Sequence, residues 1–342
     1  MTEVLLGKTL AELQEAALAV GLPKFAGKQL AEWLYVRRVR SFDEMTNISL
    51  KGREALKAAY TLGRHGPIRE AVSQDGTRKY LFAIGDKFVE SVYIPEDDRA
   101  TLCISTQIGC KMGCRFCMTG TLGFHGQLSA AEILNQIFYF DDLTNVVLMG
   151  EGEPMDNIDN VLRALDILTA DYACAWSPKR ITVSSVGLIP GLKRFIEESE
   201  CHLAISLHNP FAAEREAIMP VQKAYAIADV IALLKQYDWS HQRRVSFEYI
   251  CWGGQNDTPR HAKELVRLLR GLSCRVNLIR FHEGVENTSG NQTFKSSNDN
   301  AMIWLRDYLT ANGVTTTIRK SRGEDILAAC GMLVNSLTAN SH

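Results

Sequence analysis

From Thr101 onward the chain alternates β-rich and helical segments with short polar connections, and this alternation restricts its fold more than any other feature. Runs rich in β-branched and aromatic residues predict strands at Thr101–Thr106, Asn145–Gly150, Arg180–Val186, Cys201–Leu207, Arg243–Trp252 and Cys274–Arg280. Apolar residues at helical spacing predict helices at Ser129–Phe140, Ile158–Thr169, Pro190–Glu198, Ile227–Tyr237, Pro259–Leu272 and Asp299–Asn312. A helix between two strands carries the chain back to the same end of the sheet, so six such units predict parallel pairing. A closed barrel needs eight. The expected fold class is therefore α/β, a (β/α)6 partial barrel, with Thr315–Lys320 as a further strand candidate.

The first third reads differently. Residues 8–61 predict short helices: one capped by Thr9, one over Lys28–Val36 with Leu30, Trp33 and Leu34 on one face, and a region over 44–60 that Gly52 is expected to break. Lys79–Ile84 and Lys87–Ile94 flank Gly85-Asp86 and predict a β-hairpin. The expected organisation is a helical basic module (1–72), a hairpin linker (73–98), the barrel (99–318) and a tail (319–342). Net charge is −1 over 342 residues, yet Lys24 to Arg69 holds ten Lys and Arg against four acids, leaving +6. That asymmetry suits either a solvated helical surface or a polyanionic partner. No run of about 18 apolar residues is present, so no membrane partner is expected. The polar stretch Glu283–Ser297 is long for a connecting loop.

The loop after the first predicted barrel strand reads GCKMGCRFC, placing Cys110, Cys114 and Cys117 at C-x3-C-x2-C spacing. Zinc ribbons pair two C-x2-C arms, and here the second arm is missing. Nine cysteines in this length are too few for a secreted disulfide scaffold. Three thiolates can instead hold three irons of a [4Fe–4S] cluster and leave the fourth open. Chemistry in parallel α/β folds gathers at the carboxyl ends of strands, where this loop lies. An oxygen-sensitive cluster and unpaired cysteines suit a cytoplasmic location.

The aromatic Phe116 before the last cysteine completes a pattern that resembles the radical S-adenosylmethionine (SAM) enzymes. Further motifs narrow the resemblance: Cys103 in CISTQIGC, GEGEPMDN after the second strand, SLHNP after the fourth, and RKSRGEDILAACG near the end. Together they resemble the RlmN/Cfr family of RNA adenine methyltransferases, from residue 9 to residue 334. The resemblance implies that SAM is both methyl donor and radical source. One SAM methylates Cys330; the 5′-deoxyadenosyl radical from a second takes a hydrogen from that methyl group; the methylene radical adds to adenine and joins protein to RNA. Cys103 then attacks the Cys330 sulfur and releases product as a disulfide. Glu90, in FVESVYIP, matches the proton acceptor. Gly152 and Glu153, then Ser184, Ser206, Leu207 and His208, match SAM contacts, and Cys110, Cys114 and Cys117 match the cluster ligands. Cys103 and Cys330 are 227 residues apart, so only tertiary folding brings them together.

Two departures stand out. Where the family usually has an asparagine that contacts SAM, this chain has His282, which still offers one hydrogen bond. After the cluster loop, His125, Gly126 and Gln127 replace a usually basic run. Cys174, Cys201, Cys251 and Cys274 match no motif, and the last three read as core thiols on strands. Arg319, Lys320 and Arg322 suit either phosphate or solvent. The expected substrate is an adenosine of 23S rRNA, adenine 2503 in the C2-methylating branch, with tRNA as a further candidate. The expected partners are a one-electron donor such as flavodoxin or ferredoxin and a disulfide reductant, with a monomer as default. Alternatives are C8 methylation, toward which Thr119-Gly120 leans, a radical SAM reaction on another substrate, and an iron–sulfur RNA-binding sensor.

Overall fold

In the computed structural model, residues 2–239, 244–282, 294–329 and 331–333 are described. The N-terminal module is closed by a short parallel pair, β1 (Glu3–Val4) and β2 (Tyr60–Thr61). Thr9 caps α1 (Leu10–Ala19): its hydroxyl accepts the Glu12 N–H, and the Glu12 carboxylate accepts the Thr9 N–H at 2.7 Å. α2 (Ala26–Ala31) continues into a wide π-type turn, Glu32–Val36, that buries Trp33, Leu34 and Tyr35. Gly52 does not break the third helix. It sits in the first turn of α3 (Leu50–Ala59), where a Cβ would come within 2.7 Å of the Leu22 side chain. Close packing, not flexibility, is the use of glycine there.

The rest of the described chain is built on one ten-stranded mixed sheet. β3 (Arg69–Val72), β4 (Arg78–Ile84) and β5 (Lys87–Pro95) run antiparallel, and β5 pairs antiparallel with β6 (Ala100–Cys103). The predicted hairpin is thus no separate linker; it extends the barrel sheet. β7 (Gln107–Gly109) and β8 (Phe124–Gln127) form a ribbon outside that sheet, with the short α4 (Met118–Thr121) between them. α5 (Ala130–Phe138) crosses back to β9 (Asn145–Leu148), which lies parallel to β6. Parallel pairing then continues through β10 (Ile181–Ser185), β11 (His202–Ser206), β12 (Val245–Cys251), β13 (Cys274–Arg280) and β14 (Thr315–Ile318). The crossovers are α6 (Ile158–Thr169), α7 (Ile189–Glu198), α8 (Ala212–Ile218) with α9 (Ile227–Leu234), α10 (Pro259–Leu269) and α11 (Asp299–Ala311). This is the expected partial barrel, with Thr315–Ile318 as its seventh parallel strand.

The core is continuous between module and barrel. Arg38 donates to the Phe140 carbonyl at 2.7 Å, and His65 and Asn135 exchange two hydrogen bonds at 3.0 Å. Lys24, Lys28, Arg40, Lys51 and Lys57 remain exposed on the module. Among the described residues no helix is long and apolar enough to cross a membrane.

Candidate active site

The cysteine loop is shaped by β7 and β8. Gly109 has φ +71°, and a Cβ there would lie 1.9 Å from the Gly123 carbonyl oxygen, so only glycine fits the strand end that delivers Cys110. The loop is held by Cys110 N–H to Gly123 O (2.9 Å), Arg115 N–H to Ile218 O (2.9 Å) and Met118 N–H to Gly331 O (2.8 Å). Phe116 packs edge-on to His208, centroids 4.7 Å apart, and lies 5.5 Å from the Trp252 ring. The aromatic of the motif therefore fixes the loop against the ends of β11 and β12.

All three motif cysteines line one cleft, together with Gly152, Glu153, Ser184, Ser206 and His208. Burial pushes the thiol of Cys110 up to about 12 and raises those of Cys114 and Cys117, with neighbouring cysteines adding to the shift for Cys110 and Cys114. Three crowded buried thiols suit a metal group that takes up the thiolate charge. Three thiolates facing one cleft are a donor set that a [4Fe–4S] cube would accept, one thiolate to each of three irons.

The polar groups at the strand ends are held in place. Glu153 is buried, and its two oxygens accept the N–H groups of Met155 (3.0 Å) and Val186 (2.9 Å). Burial raises its carboxyl to about 7. His208 has φ +53°, a left-handed conformation costly for a side chain with a Cβ. Its Nδ1 accepts the Ile250 N–H at 3.1 Å, which leaves the proton of the neutral ring on Nε2. Burial, then the Arg215 charge, lowers its pKa to about 3, so the ring is neutral at working pH.

Sequence reasoning missed the residues that hold this arrangement. Buried Arg215 donates to the carbonyls of Val186 (2.9 Å), Ser206 (2.9 Å) and Leu207 (3.1 Å), tying β10 to β11. Asn256 donates to His208 O (2.8 Å) and Ile250 O (2.7 Å) and accepts from Trp252 N–H (2.7 Å). Asn256→Ala leaves these buried backbone groups unpaired. Its expected cost is about 3 kcal/mol, read by denaturant unfolding, together with weaker SAM binding as His208 leaves its left-handed conformation.

Two expected SAM contacts do not line the cleft. The Leu207 side chain is core, its N–H donates to Glu248 O, and its carbonyl is taken by Arg215. His282 lies in a neighbouring basic cleft with Arg99, Arg280, Arg319, Lys320 and Arg322. Its Nε2 is 2.6 Å from the Ser321 hydroxyl. His282 thus meets the tail at Ser321. Arg319 and Ile279 line both clefts. Gln127, in the run that departs from a basic loop, bridges Gln107 and Asp156 at 2.8 Å.

Glu90 and Cys103 lie on the antiparallel side of the sheet. Cys103 pairs with Val92, and Lys79 pairs with Val92 from the other side, so Lys79, Val92 and Cys103 form one row. Ile326, Ala328 and Leu333 of the tail pack over this region. Cys330 lies outside the described residues; of its neighbours, Ala329 lines the basic cleft and Gly331 the cysteine-lined cleft. Glu90 is fully buried, its carboxylate 3.1 Å from the equally buried Lys79 Nζ. Its backbone loses ladder partners where β6 ends. The N–H is taken instead by the Glu151 carboxylate (2.8 Å), and the carbonyl accepts from the Ser105 hydroxyl (2.6 Å). Burial raises the carboxyl of Glu151 to about 8, with the Glu90 charge adding to it.

Comparison with known proteins agrees with this geometry. A family model described as the radical SAM superfamily matches residues 104–269. A second, the ribosomal RNA large subunit methyltransferase N-terminal domain, matches residues 4–62. The probable dual-specificity RNA methyltransferase RlmN of Bacteroides fragilis is 60% identical over 335 residues, covering 96% of this chain and 95% of that protein. The dual-specificity RNA methyltransferase RlmN of Syntrophobacter fumaroxidans is 39% identical, covering 95% and 96%. The crystal structure of a radical SAM methyltransferase from Sphaerobacter thermophilus superposes with a TM-score of 0.88 at 37% identity, covering 97% of this chain and 99% of that one.

Proposed function

Because the chain belongs to the RlmN family of radical SAM RNA methyltransferases, we propose that it methylates C2 of an adenosine in 23S rRNA, at adenine 2503, with tRNA as a second substrate. The observation that carries this reading is the single cleft lined by three motif cysteines, by polar strand ends and by the residue that follows Cys330. Cys110, Cys114 and Cys117 would hold a [4Fe–4S] cluster, which would supply one-electron cleavage of the SAM sulfonium. Adenine C2 is an electron-poor carbon that does not displace a methyl group as a nucleophile, so the target calls for this chemistry.

The chain's own residues do the rest. Glu153 receives the methionine ammonium, since each of its oxygens keeps acceptor capacity beyond its backbone hydrogen bond. Gly152, Ser184 and Ser206 line the ribose and carboxylate side, and neutral His208 donates from Nε2. Cys330 carries the methyl group as a thioether. Once its carbon is bonded to adenine, the adduct radical must give up one electron, for which the oxidised cluster would be the acceptor; the Glu90 carboxylate accepts the C2 proton and the C–H electron pair restores the ring. The Cys103 thiolate then attacks the Cys330 sulfur. The S–C bond breaks, the released carbon takes a proton, and the resulting disulfide needs two electrons from a disulfide reductant. A flavodoxin or ferredoxin class protein supplies the single electrons.

Anaerobic reaction of cluster-loaded protein with SAM, reductant and unmodified 23S rRNA tests the proposal by nucleoside mass spectrometry against authentic standards. 2-Methyladenosine is the expected product. 8-Methyladenosine would keep the mechanism and reverse the regiochemistry. 5′-Deoxyadenosine without either nucleoside would show that RNA adenine is not the substrate.

A further inference from the structure

Lys79 is a fully buried cation that no step above uses. Its ammonium lies 3.1 Å from the Glu90 carboxylate and 3.3 Å from the carbonyl oxygen of Leu327. Leu327 has φ +53°, so the carbonyl that Lys79 meets belongs to a strained turn of the tail. The turn between β3 and β4 holds the same stretch. Ser73 donates to Asp325 at 2.5 Å, the Gln74 N–H to Asp325 at 3.1 Å, and the Gly323 N–H to Asp75 at 3.0 Å. Lys79 is the innermost of these holds and the one that also touches the proposed proton acceptor.

We propose that Lys79 is a positioning residue: through its 3.1 Å ion pair it holds the Glu90 carboxylate facing the reaction, and through Leu327 it couples that carboxylate to the tail that carries Cys330. The inference rests on the proton-acceptor role given to Glu90 above. Removing one partner of a buried ion pair leaves the other charge uncompensated, so the position of the Glu90 carboxylate depends on the cation beside it. Lys79 supplies that charge from the adjacent strand, in the row that Val92 shares with Cys103. Among the described residues, titratable groups near this pair include Glu151, whose carboxylate takes the Glu90 N–H, and Cys103 on β6. Lys79 takes no part in bond making. It acts through Glu90, and its contact with Leu327 makes the carboxylate's position depend on a docked tail.

The test uses full-length, cluster-loaded protein with SAM, reductant and 23S rRNA, and two readouts. Mass spectrometry of the Cys330 peptide reports methyl loading, and denaturing gels report the rate at which the covalent protein–RNA adduct resolves. Lys79→Met is expected to load Cys330 within about twofold of wild type but to resolve the adduct at least about tenfold more slowly, because the carboxylate is no longer held in place. Lys79→Arg, which keeps the cation, should restore most of that rate. The double variant Lys79→Met/Glu90→Gln should resolve no more slowly than Glu90→Gln alone, because a residue acting through Glu90 has nothing to add once Glu90 is gone. A merely structural pair would lower loading and resolution together and show no rescue by arginine. If Lys79→Met does not fold, the double variant leaves no buried charge unpaired and the comparison with Glu90→Gln still decides. Normal resolution by Lys79→Met beside slow resolution by Glu90→Gln would overturn this inference alone. Normal resolution by Glu90→Gln would overturn the acceptor role and this inference with it.

Discussion

Replacing Cys103 by alanine should leave RNA covalently attached to the protein. In the proposed sequence the S–C bond of the adduct breaks only when a thiolate attacks the Cys330 sulfur, and Cys103 is the residue assigned to that attack. The variant should load methyl on Cys330 and consume SAM on the first round, then stall with adduct resolving at least about 1,000-fold more slowly. Denaturing gels of RNA crosslinked to protein, with nuclease digestion to an adenosine-bearing Cys330 peptide, are the measurement. The substitution is mild for the fold, since Cys103 is only partly buried at the end of β6 and its backbone pairing with Val92 does not involve the thiol. Clean turnover by Cys103→Ala would remove it from the release step.

Replacing any one of Cys110, Cys114 or Cys117 by alanine should have an equally large effect at the opposite end of the reaction. These residues sit in a loop outside the ten-stranded sheet that is held by backbone hydrogen bonds to Gly123, Ile218 and Gly331. The fold should therefore persist while anaerobically reconstituted protein loses its iron and sulfide. Formation of 5′-deoxyadenosine should fall at least about 10⁴-fold, because the substitution removes the electron source rather than tuning a step. Cys330→Ala separates the two ends: it should retain iron and sulfide yet transfer no methyl group to RNA. A Cys114→Ala protein with full iron and normal SAM cleavage would refute the ligand assignment.

Much of the scaffold is legible in the sequence because its signals are local. Cys274–Arg280 and Ile158–Thr169 are observed at their expected bounds. Other barrel strands end a few residues early, as at Cys103, where the chain turns from the sheet toward the cysteine loop. The joining of the hairpin to the barrel was not legible, because the pairing of β5 with β6 is a tertiary event that each strand's pattern leaves open. Gly52 was misread for a related reason: the side chain it makes room for, Leu22, lies 30 residues away.

The site divides in the same way. The cysteine spacing is chemistry written in consecutive residues, whereas Ser184, Ser206 and His208 drew meaning from the resemblance. Arg215 and Asn256 satisfy backbone groups from separate strands, so no local pattern announces them. Lys79 was within reach. A two-residue turn at Gly85-Asp86 places Ile84 opposite Lys87, and counting back from there sets Leu81 opposite Glu90 and Lys79 opposite Val92. Opposite charges on neighbouring pairs of one buried face were therefore deducible. His282 shows the reverse case, in which a motif position is occupied but its side chain turns to Ser321.

The most direct test of the central claim is a reaction with SAM whose methyl group is fully deuterated. If the methyl passes through Cys330 and loses one atom to the 5′-deoxyadenosyl radical, RNA adenine should gain a methyl group with two deuteriums and one solvent hydrogen, and 5′-deoxyadenosine should carry the third deuterium. Transfer of an intact, fully deuterated methyl group would contradict the account.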